Sequence, residues 1–295
     1  MNIAVIGSKG LAKELGKRGT SSDITLYNTS FQGKYLTFVE PELYPEKVQT
    51  LFQSLNMSQY VILYITPDLP KNVLGECIIA IDMLKRGGII VLDGIQEEEI
   101  RPILNETFLR DFPIIESSPG KILDSIASFG PPKTEGKLKV IVDHFFLVKS
   151  VGTVVLGTVM GGEVKRHDKL KIFPNKKDIL IKSIQIHDKD CEKASLFDRV
   201  GFCIKGVEVD ELKRGCVISN EMDCLKEVDV KINKNRFFKE GDPKGVMCLV
   251  GLQYVRGILE GDKIIFENEI AYDKEPIIIL TPDKFMRIFG VAEGL

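Results

Sequence analysis

The residues that most clearly suggest a chemical role lie near the amino terminus, in the run IAVIGSKGLAKELGKRG at positions 3–19. A short apolar segment leads into Gly7, and a small flexible stretch then continues through Gly10 to Lys13. In a phosphate-binding loop of the form G-x-x-x-x-G-K-[ST], backbone N–H groups surround the phosphates and the lysine side chain reaches them. Gly7, Gly10 and Lys13 are therefore the candidate residues for binding a nucleotide phosphate.

The same run departs from this motif at two positions. Ala12 stands where the second glycine belongs, and Glu14 replaces the hydroxyl residue that ligates Mg²⁺. A carboxylate beside a bound phosphate costs on the order of a few kcal/mol in a low-dielectric loop, because the two charges repel. The run therefore predicts a vestigial loop. We expect no cofactor: GTP and Mg²⁺ are not expected, while weak or altered nucleotide binding stays an alternative.

Two adjacent residues, Asp143 and His144, are candidates for contacting RNA or a partner protein. They lie in the apolar run KVIVDHFFLV, which predicts a β-strand. Neighbouring residues of a strand face opposite sides of the sheet, so the two side chains are not expected to form one joint site. A structural or interface role for each is the simpler interpretation.

Three further candidates lie in loops or hairpins. His187 follows a predicted strand, where it is either an exposed polar loop residue or an RNA contact. Lys234 and Arg236 belong to the run KINKNRFFKEGDPK at 231–244, which mixes basic and aromatic residues as nucleic-acid interfaces do. Such runs are also typical of solvated hairpin faces. No residue is predicted to be catalytic or to bind a metal.

Composition limits the class of protein. The chain has 295 residues, of which 44% are hydrophobic and 28% charged, as expected for a globular protein of several domains. Its net charge of −2 gives no global basic field, so DNA is not expected as a partner. The cysteines form no C-x-x-C pair, which indicates reduced thiols rather than a zinc site or a disulfide framework. We found neither an apolar run of about 20 residues nor a signal-peptide pattern, and therefore predict a cytoplasmic protein without membrane contact.

The first part of the chain alternates between strand and helix patterns. Continuous apolar runs predict buried strands at 3–6, 36–39, 60–66 and 89–94. Helical spacing or glycine stops predict helices at 11–17, 44–55 and 74–87. Buried strands that alternate with helices favour a parallel sheet covered by helices. Residues 1–130 are therefore predicted to form an α/β, P-loop-like domain with a mostly parallel sheet.

The pattern changes around SFGPPKTEGK at 128–137, where prolines and glycines predict a linker. Beyond it, short Val- and Ile-rich runs separated by turn residues predict strands, and helical periodicity nearly vanishes. Two small all-β barrel domains are predicted, at 137–221 and 224–295.

Particular segments of the β region carry a family resemblance. The run VDHFFLVKSVGTVVLGTVMGGEVKRHDKLKIFP at 142–174 resembles the second domain of translational GTPases of the EF-Tu superfamily, and FDRVGFCIKGVEVDELKRGCVIS at 197–219 is similar to the closing part of that barrel. The segments VGLQYV at 250–255 and PIIILTPDKFMRIFG at 276–290 look like the start and end of the third domain of archaeal-type selenocysteine-specific elongation factors, SelB.

The resemblance implies a GTPase domain before these barrels, and the family's other nucleotide motifs are missing there. Where the family has D-x-x-G, this chain has Glu40 and, in place of the glycine, Leu43. Asp93 lacks the lysine framework of the guanine-reading motif, and ESS at 116–118 lacks the lysine of S-A-K. The stretch between Lys17 and Leu36 is also short for a full switch segment. A degenerate GTPase domain is therefore predicted.

The resulting functional prediction is a translation elongation factor-like protein of the SelB/EF-Tu type that has lost GTP hydrolysis and is therefore not an enzyme. Its expected partners are tRNA, another RNA, the ribosome or translation factors. One alternative is a divergent elongation factor that still binds GTP, and another is a protein-interaction scaffold without an RNA ligand. The chain ends where the third domain ends, whereas the factor it resembles continues into a fourth, which argues against a working selenocysteine factor.

Overall fold

The computed structural model describes residues 1–130 and 136–295. Contacts divide the chain into two units. The first contains residues 1–130 together with Lys234–Lys239 and Pro282–Val291, and the second contains the other described residues. The predicted linker at 128–137 falls largely on residues 131–135, which lie outside the described residues. The division into domains at 1–130, 137–221 and 224–295 stays a prediction.

The first unit is built on a sheet of seven strands in the order β2-β3-β4-β1-β5-β6-β7. The pairings among β4, β1, β5, β6 and β7 are parallel. The pairings of β2 with β3 and of β3 with β4 are antiparallel and form one edge of the sheet. The mostly parallel sheet is thus confirmed. The strands are β1 Asn2–Gly7, β2 Lys17–Ser21, β3 Thr25–Phe31, β4 Lys34–Glu40, β5 Tyr60–Ile65, β6 Gly88–Leu92 and β7 Ile114–Glu116.

Helices connect these strands, and their apolar faces cover the sheet. The helices are α1 Leu11–Leu15, α2 Val48–Asn56, α3 Lys71–Leu84, α4 Glu97–Leu104 and α5 Pro119–Ser128, with a 3-10 turn at Phe108–Asp111. Apolar strand residues contribute the core, because continuous apolar runs bury both faces of a parallel strand. Fully buried examples are Ile3, Phe38, Ile62 and Ile89.

One local prediction differs from the structure. The helix predicted at 11–17 ends at Leu15, and its last predicted residue begins strand β2. β2 is polar and mostly exposed, so its own residues carry no strand signal; it forms because it pairs with β3, which pairs with β4. The hairpin of β2 and β3 therefore occupies most of the stretch between Lys17 and Leu36.

The first barrel of the second unit is antiparallel throughout. Its strands follow the order β11-β16-β8-β9-β15-β12-β13, and pairing of β11 with β12 closes the ring. At Gly157, β9 lies so close to its neighbour β8 that a Cβ atom there would be 2.3 Å from Ile141 O. The strands are β8 Lys139–Val148, β9 Gly152–Gly161, β10 Val164–Lys165, β11 Lys169–Phe173, β12 Lys177–Ile186, β13 Lys189–Cys191, β14 Lys193–Ala194, β15 Arg199–Lys205 and β16 Val217–Ser219.

A second closed antiparallel barrel follows, with the strand order β17-β20-β19-β18-β21-β22. The fold class is confirmed: a mostly parallel α/β sheet is followed by two small barrels. Apolar residues fill the barrel interior, as in other small barrels. In β21 every residue is buried. The strands are β17 Asp223–Lys234, β18 Gly245–Val250, β19 Gln253–Glu260, β20 Lys263–Tyr272, β21 Ile277–Leu280 and β22 Ile288–Gly294.

Candidate functional site

The loop after β1 packs closely against β5. Gly7 has a φ of 98°, and a Cβ atom at this position would lie 2.3 Å from Tyr64 O. The Ser8 N–H donates to Tyr64 O at 2.8 Å, and the Ser8 and Thr66 hydroxyl oxygens are 2.9 Å apart. Glycine is therefore required at position 7 by the approach to β5 as well as by its backbone conformation.

A carboxylate of the protein itself occupies the donor side of this loop. The Gly10 N–H donates to Glu40 Oε1 at 3.2 Å, and Glu40 lies buried at the end of β4. Burial raises the pKa of Glu40, while the hydrogen bond from Gly10 acts in the opposite direction. An N–H group that would face a phosphate in an active loop is thus bonded to an internal acid.

Lys13 and Glu14 both lie exposed on α1. This helix spans only the five residues Leu11–Leu15. A helix stabilises an anion at its amino terminus through aligned peptide dipoles and unpaired N–H groups, and a single short turn supplies little of either. The structure therefore gives Lys13 no long helix with which to hold a phosphate.

The predicted guanine-reading position is also occupied by an internal contact. Asp93 follows β6, and its carboxylate accepts a hydrogen bond from the Tyr64 hydroxyl at 2.8 Å. Burial raises the pKa of Tyr64, and its bond to Asp93 acts in the same direction. Near them, a cleft of about 600 Å³ opens beyond the carboxyl ends of β5 and β6, where parallel sheets commonly bind ligands. Its polar lining includes Thr66, Lys71 and Glu99.

In the first barrel, Asp143 forms a buried ion pair that sequence reasoning missed. Arg199 Nη1 and Nη2 donate to its two carboxylate oxygens at 2.5 and 2.8 Å, and Arg214 Nε donates to its carbonyl oxygen at 3.1 Å. Burial raises the pKa of Asp143, and Arg199 is the largest opposing influence. The pairing of β8 with β9 shifts register between Val142 and His144, so Asp143 lies at a bulge.

The two candidate histidines lie near this ion pair. His144 is half-buried, and its ring centroid lies 6.0 Å from that of the exposed Phe146. His187 is half-buried just beyond β12 with a φ of 50°. Burial lowers the pKa of His187, and Arg199 is among the charges that also act on it. His144 follows Asp143 directly in β8, and the charge of Arg199 acts on both Asp143 and His187. We call these four residues the Arg199 cluster.

Lys234 and Arg236 belong to the first unit and make different contacts. Lys234 Nζ lies 5.3 Å from the ring centroid of Phe289. Arg236 stacks on Phe237, with Cζ 4.8 Å from the ring centroid, and its Nη1 is 3.2 Å from Glu106 Oε2. Both cations therefore lie near aromatic rings of the protein, and the ion pair of Arg236 with Glu106 is exposed. Their role as RNA contacts stays a prediction.

The part that the structure describes shows no group of three or more His, Cys, Asp and Glu residues suited to a metal ion. In the same part, no helix has the length and apolar character needed to cross a membrane. Arg199 could not be singled out in the sequence, because one arginine at the start of a strand resembles many solvated ones. Only its contact with Asp143, distant along the chain, distinguishes it.

An α/β unit with a mostly parallel sheet, followed by two antiparallel barrels, is a translation-factor-like fold. The family model described as Elongation factor Tu domain 2 matches residues 152–219. The fold is similar to the crystal structure of translation elongation factor SelB from Methanococcus maripaludis in complex with the GTP analogue GPPNHP, with a TM-score of 0.85 and 22% identity over 99% of this chain and 78% of that chain.

Sequence relatives extend this likeness. A selenocysteine-specific elongation factor of Methanocaldococcus jannaschii is 32% identical over 96% of this chain, which spans 65% of the length of that factor. An uncharacterized protein of the same organism is 36% identical over 97% of this chain and 96% of its own length. The chain belongs to the SelB/EF-Tu family.

Proposed function

We propose that this protein is a translation-factor-like binder of RNA that does not hydrolyse GTP. The observation that carries the proposal is the hydrogen bond from the Gly10 N–H to the buried Glu40 carboxylate. A phosphate group entering this loop would have to displace an anion that is covalently part of the chain. Glu14 adds a second carboxylate where Mg²⁺ chemistry needs a hydroxyl.

The binding surface in this proposal is the Arg199 cluster of the first barrel. The ion pair with Asp143 fixes the guanidinium, because two parallel hydrogen bonds hold its plane. His144 and His187 are partly exposed, and Phe146 offers an exposed ring on the same strand as His144. An aromatic ring next to donor groups is the combination that single-stranded or terminal nucleotides recognise.

The partner we favour is tRNA or another RNA of the translation apparatus, since two relatives with similar sequence or fold carry the names of elongation factors. The ribosome and translation factors are the next candidates by the same argument. A protein-interaction scaffold without RNA would use the same barrels but would not retain nucleic acid during purification.

Calorimetric titration tests the loss of nucleotide binding. GTP and GDP are titrated with and without Mg²⁺ into the wild-type protein, Lys13→Ala and the control Lys17→Ala, which removes a nearby exposed lysine. We expect no heat of binding up to millimolar nucleotide. Micromolar binding that disappears in Lys13→Ala but not in Lys17→Ala would overturn the proposal.

Fluorescence anisotropy with labelled tRNA tests the RNA surface. His187→Asn is compared with His167→Asn, because both histidines have a positive φ that asparagine tolerates. We expect tRNA binding to weaken several-fold in His187→Asn and to stay unchanged in His167→Asn. Equal affinity in all three proteins, or no tRNA binding by the wild type, would contradict this assignment.

A second candidate function is nucleotide binding at a different place. The cleft of about 600 Å³ beyond β5 and β6 is large enough for a small ligand and contains Lys71 and Glu99. Nucleotide binding that survives in Lys13→Ala but is lost in Lys71→Ala would favour this candidate over the first.

A further inference from the structure

Exposed aromatic rings lie around one cavity of the first unit. The cavity has a volume of about 420 Å³, and its wall includes apolar residues of α3 and α4 together with Phe237 and Phe285. Phe285 is 92% exposed and Phe237 is 49% exposed. Phe108, which is 39% exposed, directly follows Thr107, another residue of the wall. Large apolar side chains that stay in water beside a cavity indicate a binding surface.

Two of the three rings carry a cation. Arg236 Cζ lies 4.8 Å from the ring centroid of Phe237, and Lys85 Nζ lies 5.5 Å from that of Phe108. At these distances the face of each ring attracts the positive charge. This surface therefore combines flat apolar groups with positive charge. We call its five residues, Lys85, Phe108, Arg236, Phe237 and Phe285, the aromatic patch.

Both cations have carboxylate partners that water reaches. Arg236 Nη1 lies 3.2 Å from Glu106 Oε2, and Lys85 Nζ lies 2.9 Å from Asp82 Oδ1. Ion pairs at the surface contribute little to stability, because water competes for both partners. A phosphate group can therefore replace either carboxylate at little cost.

A glycine of α3 leaves part of the cavity wall open. Gly75 lies inside the helix Lys71–Leu84, where glycine is less favourable than alanine. Among the described residues, no atom outside α3 would lie within 4 Å of a Cβ atom at Gly75. Packing therefore gives no reason for glycine at this position. The space beside Gly75 belongs to the cavity and is open to a ligand.

The two cations indicate which class of ligand suits the aromatic patch. A purely apolar partner, such as the apolar face of a helix, would take Arg236 and Lys85 out of water, which is costly. Single-stranded RNA offers flat bases and one negative charge at each phosphate. Bases stack on aromatic rings and on arginine guanidinium planes, and cations attract the phosphates. RNA with unpaired bases therefore matches both properties of the patch.

We propose that the aromatic patch binds single-stranded RNA: bases stack on its rings, one base enters the cavity beside Gly75, and phosphates lie near its two cations. The inference rests on the proposed function for the class of partner, because both assume RNA. It adds a second surface, which lies in the first unit and shares no residue with the Arg199 cluster. It also specifies that the nucleotides bound there are unpaired.

Fluorescence anisotropy with a short labelled oligoadenylate tests the proposal. The wild-type protein is compared with Phe285→Ser and with the control Tyr35→Ser, which removes another exposed aromatic ring of the first unit. We expect Phe285→Ser to bind about tenfold more weakly, through the loss of one stacking contact, and Tyr35→Ser to bind as the wild type does. A duplex RNA of the same length should bind more weakly than the single strand, because its bases cannot reach the rings.

Gly75→Leu tests the cavity. Leucine would fill the open space and favours a helix more than glycine does, so oligoadenylate binding should weaken several-fold while the Tm does not fall. The control Gly120→Leu changes a glycine of α5 with equally open surroundings and should retain the wild-type affinity. Unchanged affinity in Gly75→Leu would contradict the placement of a base in the cavity.

Three results would overturn the proposal. Oligoadenylate binding that Phe285→Ser leaves unchanged would exclude the aromatic patch as the site. A wild-type protein that binds tRNA but not the oligoadenylate would reject this inference alone, whereas binding of neither RNA would also reject the proposed function. The third result concerns the apolar dye anilinonaphthalene sulfonate: if it binds the wild type but not Phe285→Ser, and the oligoadenylate does not displace it, the patch serves an apolar partner instead.

Discussion

Glu40 and Asp143 are both buried carboxylates, but they bond to different kinds of group. Glu40 accepts a hydrogen bond from the Gly10 backbone in the α/β unit, whereas Asp143 accepts two from the Arg199 side chain in the first barrel. At the loop, the acid occupies a donor that a nucleotide would need. In the barrel, the acid holds a cation in place and leaves the neighbouring histidines partly exposed.

Under the proposed function, this difference would explain how a family fold loses one activity and keeps a binding surface elsewhere. A carboxylate that bonds a backbone N–H fills a phosphate position, because the two groups have the same charge and accept the same hydrogen bonds. A carboxylate that bonds an arginine fixes the position of the guanidinium and leaves the protein surface around that group accessible. Measurements of the stability of variants at the loop and at the first barrel test this comparison.

The largest effect is expected for the barrel. Asp143→Ala leaves the mostly buried Arg199 without its counter-charge, and we expect a loss of about 3–5 kcal/mol in the free energy of unfolding, measured with urea. The control Asp178→Ala removes the exposed partner of Lys171 and is expected to cost less than about 1 kcal/mol. Equal losses in the two variants would show that the buried pair contributes no more than a surface pair.

The next effect concerns the loop. Gly7→Ala places a Cβ atom against Tyr64 O at a positive φ, and we expect a loss of about 3 kcal/mol. Gly10→Ala has a similar φ but open space, so a loss of about 1 kcal/mol is expected. Thermal unfolding measures both. If Gly10→Ala were the more harmful change, close packing on β5 would not be the reason for Gly7.

A smaller effect is expected at Glu40. Its pKa is raised in the folded protein, so the folded state binds more protons than the unfolded state at pH values just above 4.5, and stability falls as the pH rises through that window. Glu40→Gln should remove this decline and change stability at pH 7 by no more than about 1 kcal/mol. Unfolding curves from pH 4.5 to 7.5 measure it, with the exposed Glu98→Gln as the charge-matched control, since Glu42 itself contributes to the raised pKa of Glu40. An unchanged pH profile in Glu40→Gln would contradict the assignment.

The smallest effect is expected at His187. Its folded-state pKa lies below 6.5, so its stabilising contribution is present above that pH and is lost as the pH falls toward the folded-state pKa. His187→Asn should flatten the stability profile below pH 6.5 by a few tenths of a kcal/mol in urea unfolding curves. A profile that steepens in His187→Asn would reverse the sign of this argument.

Elements with their own apolar pattern were predictable from sequence. The runs at 60–66 and 89–94 became β5 and β6, because strands buried on both faces need continuous apolar residues. The helix predicted from 44 begins at Val48; Tyr44 is buried without being helical, so its apolar character reports packing rather than periodicity. The polar residues of β2 gave no strand signal in the sequence, because β2 joins the sheet only through its pairing with β3.

The residue types of the candidate sites were predictable from the sequence, but the residues that they contact were not. The spacing of Gly7, Gly10 and Lys13 marked the loop, and Glu14 in place of the hydroxyl residue led to the prediction that the loop is vestigial. No local pattern indicates that Glu40 would bond Gly10, or that Arg199 would bond Asp143, since both contacts join residues distant in the chain. Such contacts depend on the tertiary fold.

The hairpin of β2 and β3 occupies the stretch in which nucleotide-driven switch proteins carry a segment that orders and disorders with the bound nucleotide. Under the proposed function, no step of nucleotide hydrolysis therefore limits how long the protein stays bound to its partner. The lifetime of its complex with RNA would equal the reciprocal of a simple dissociation rate constant, and its occupancy would follow the concentration of free RNA. Such a protein acts as a reversible reservoir for its partner rather than as a carrier that is discharged once per cycle.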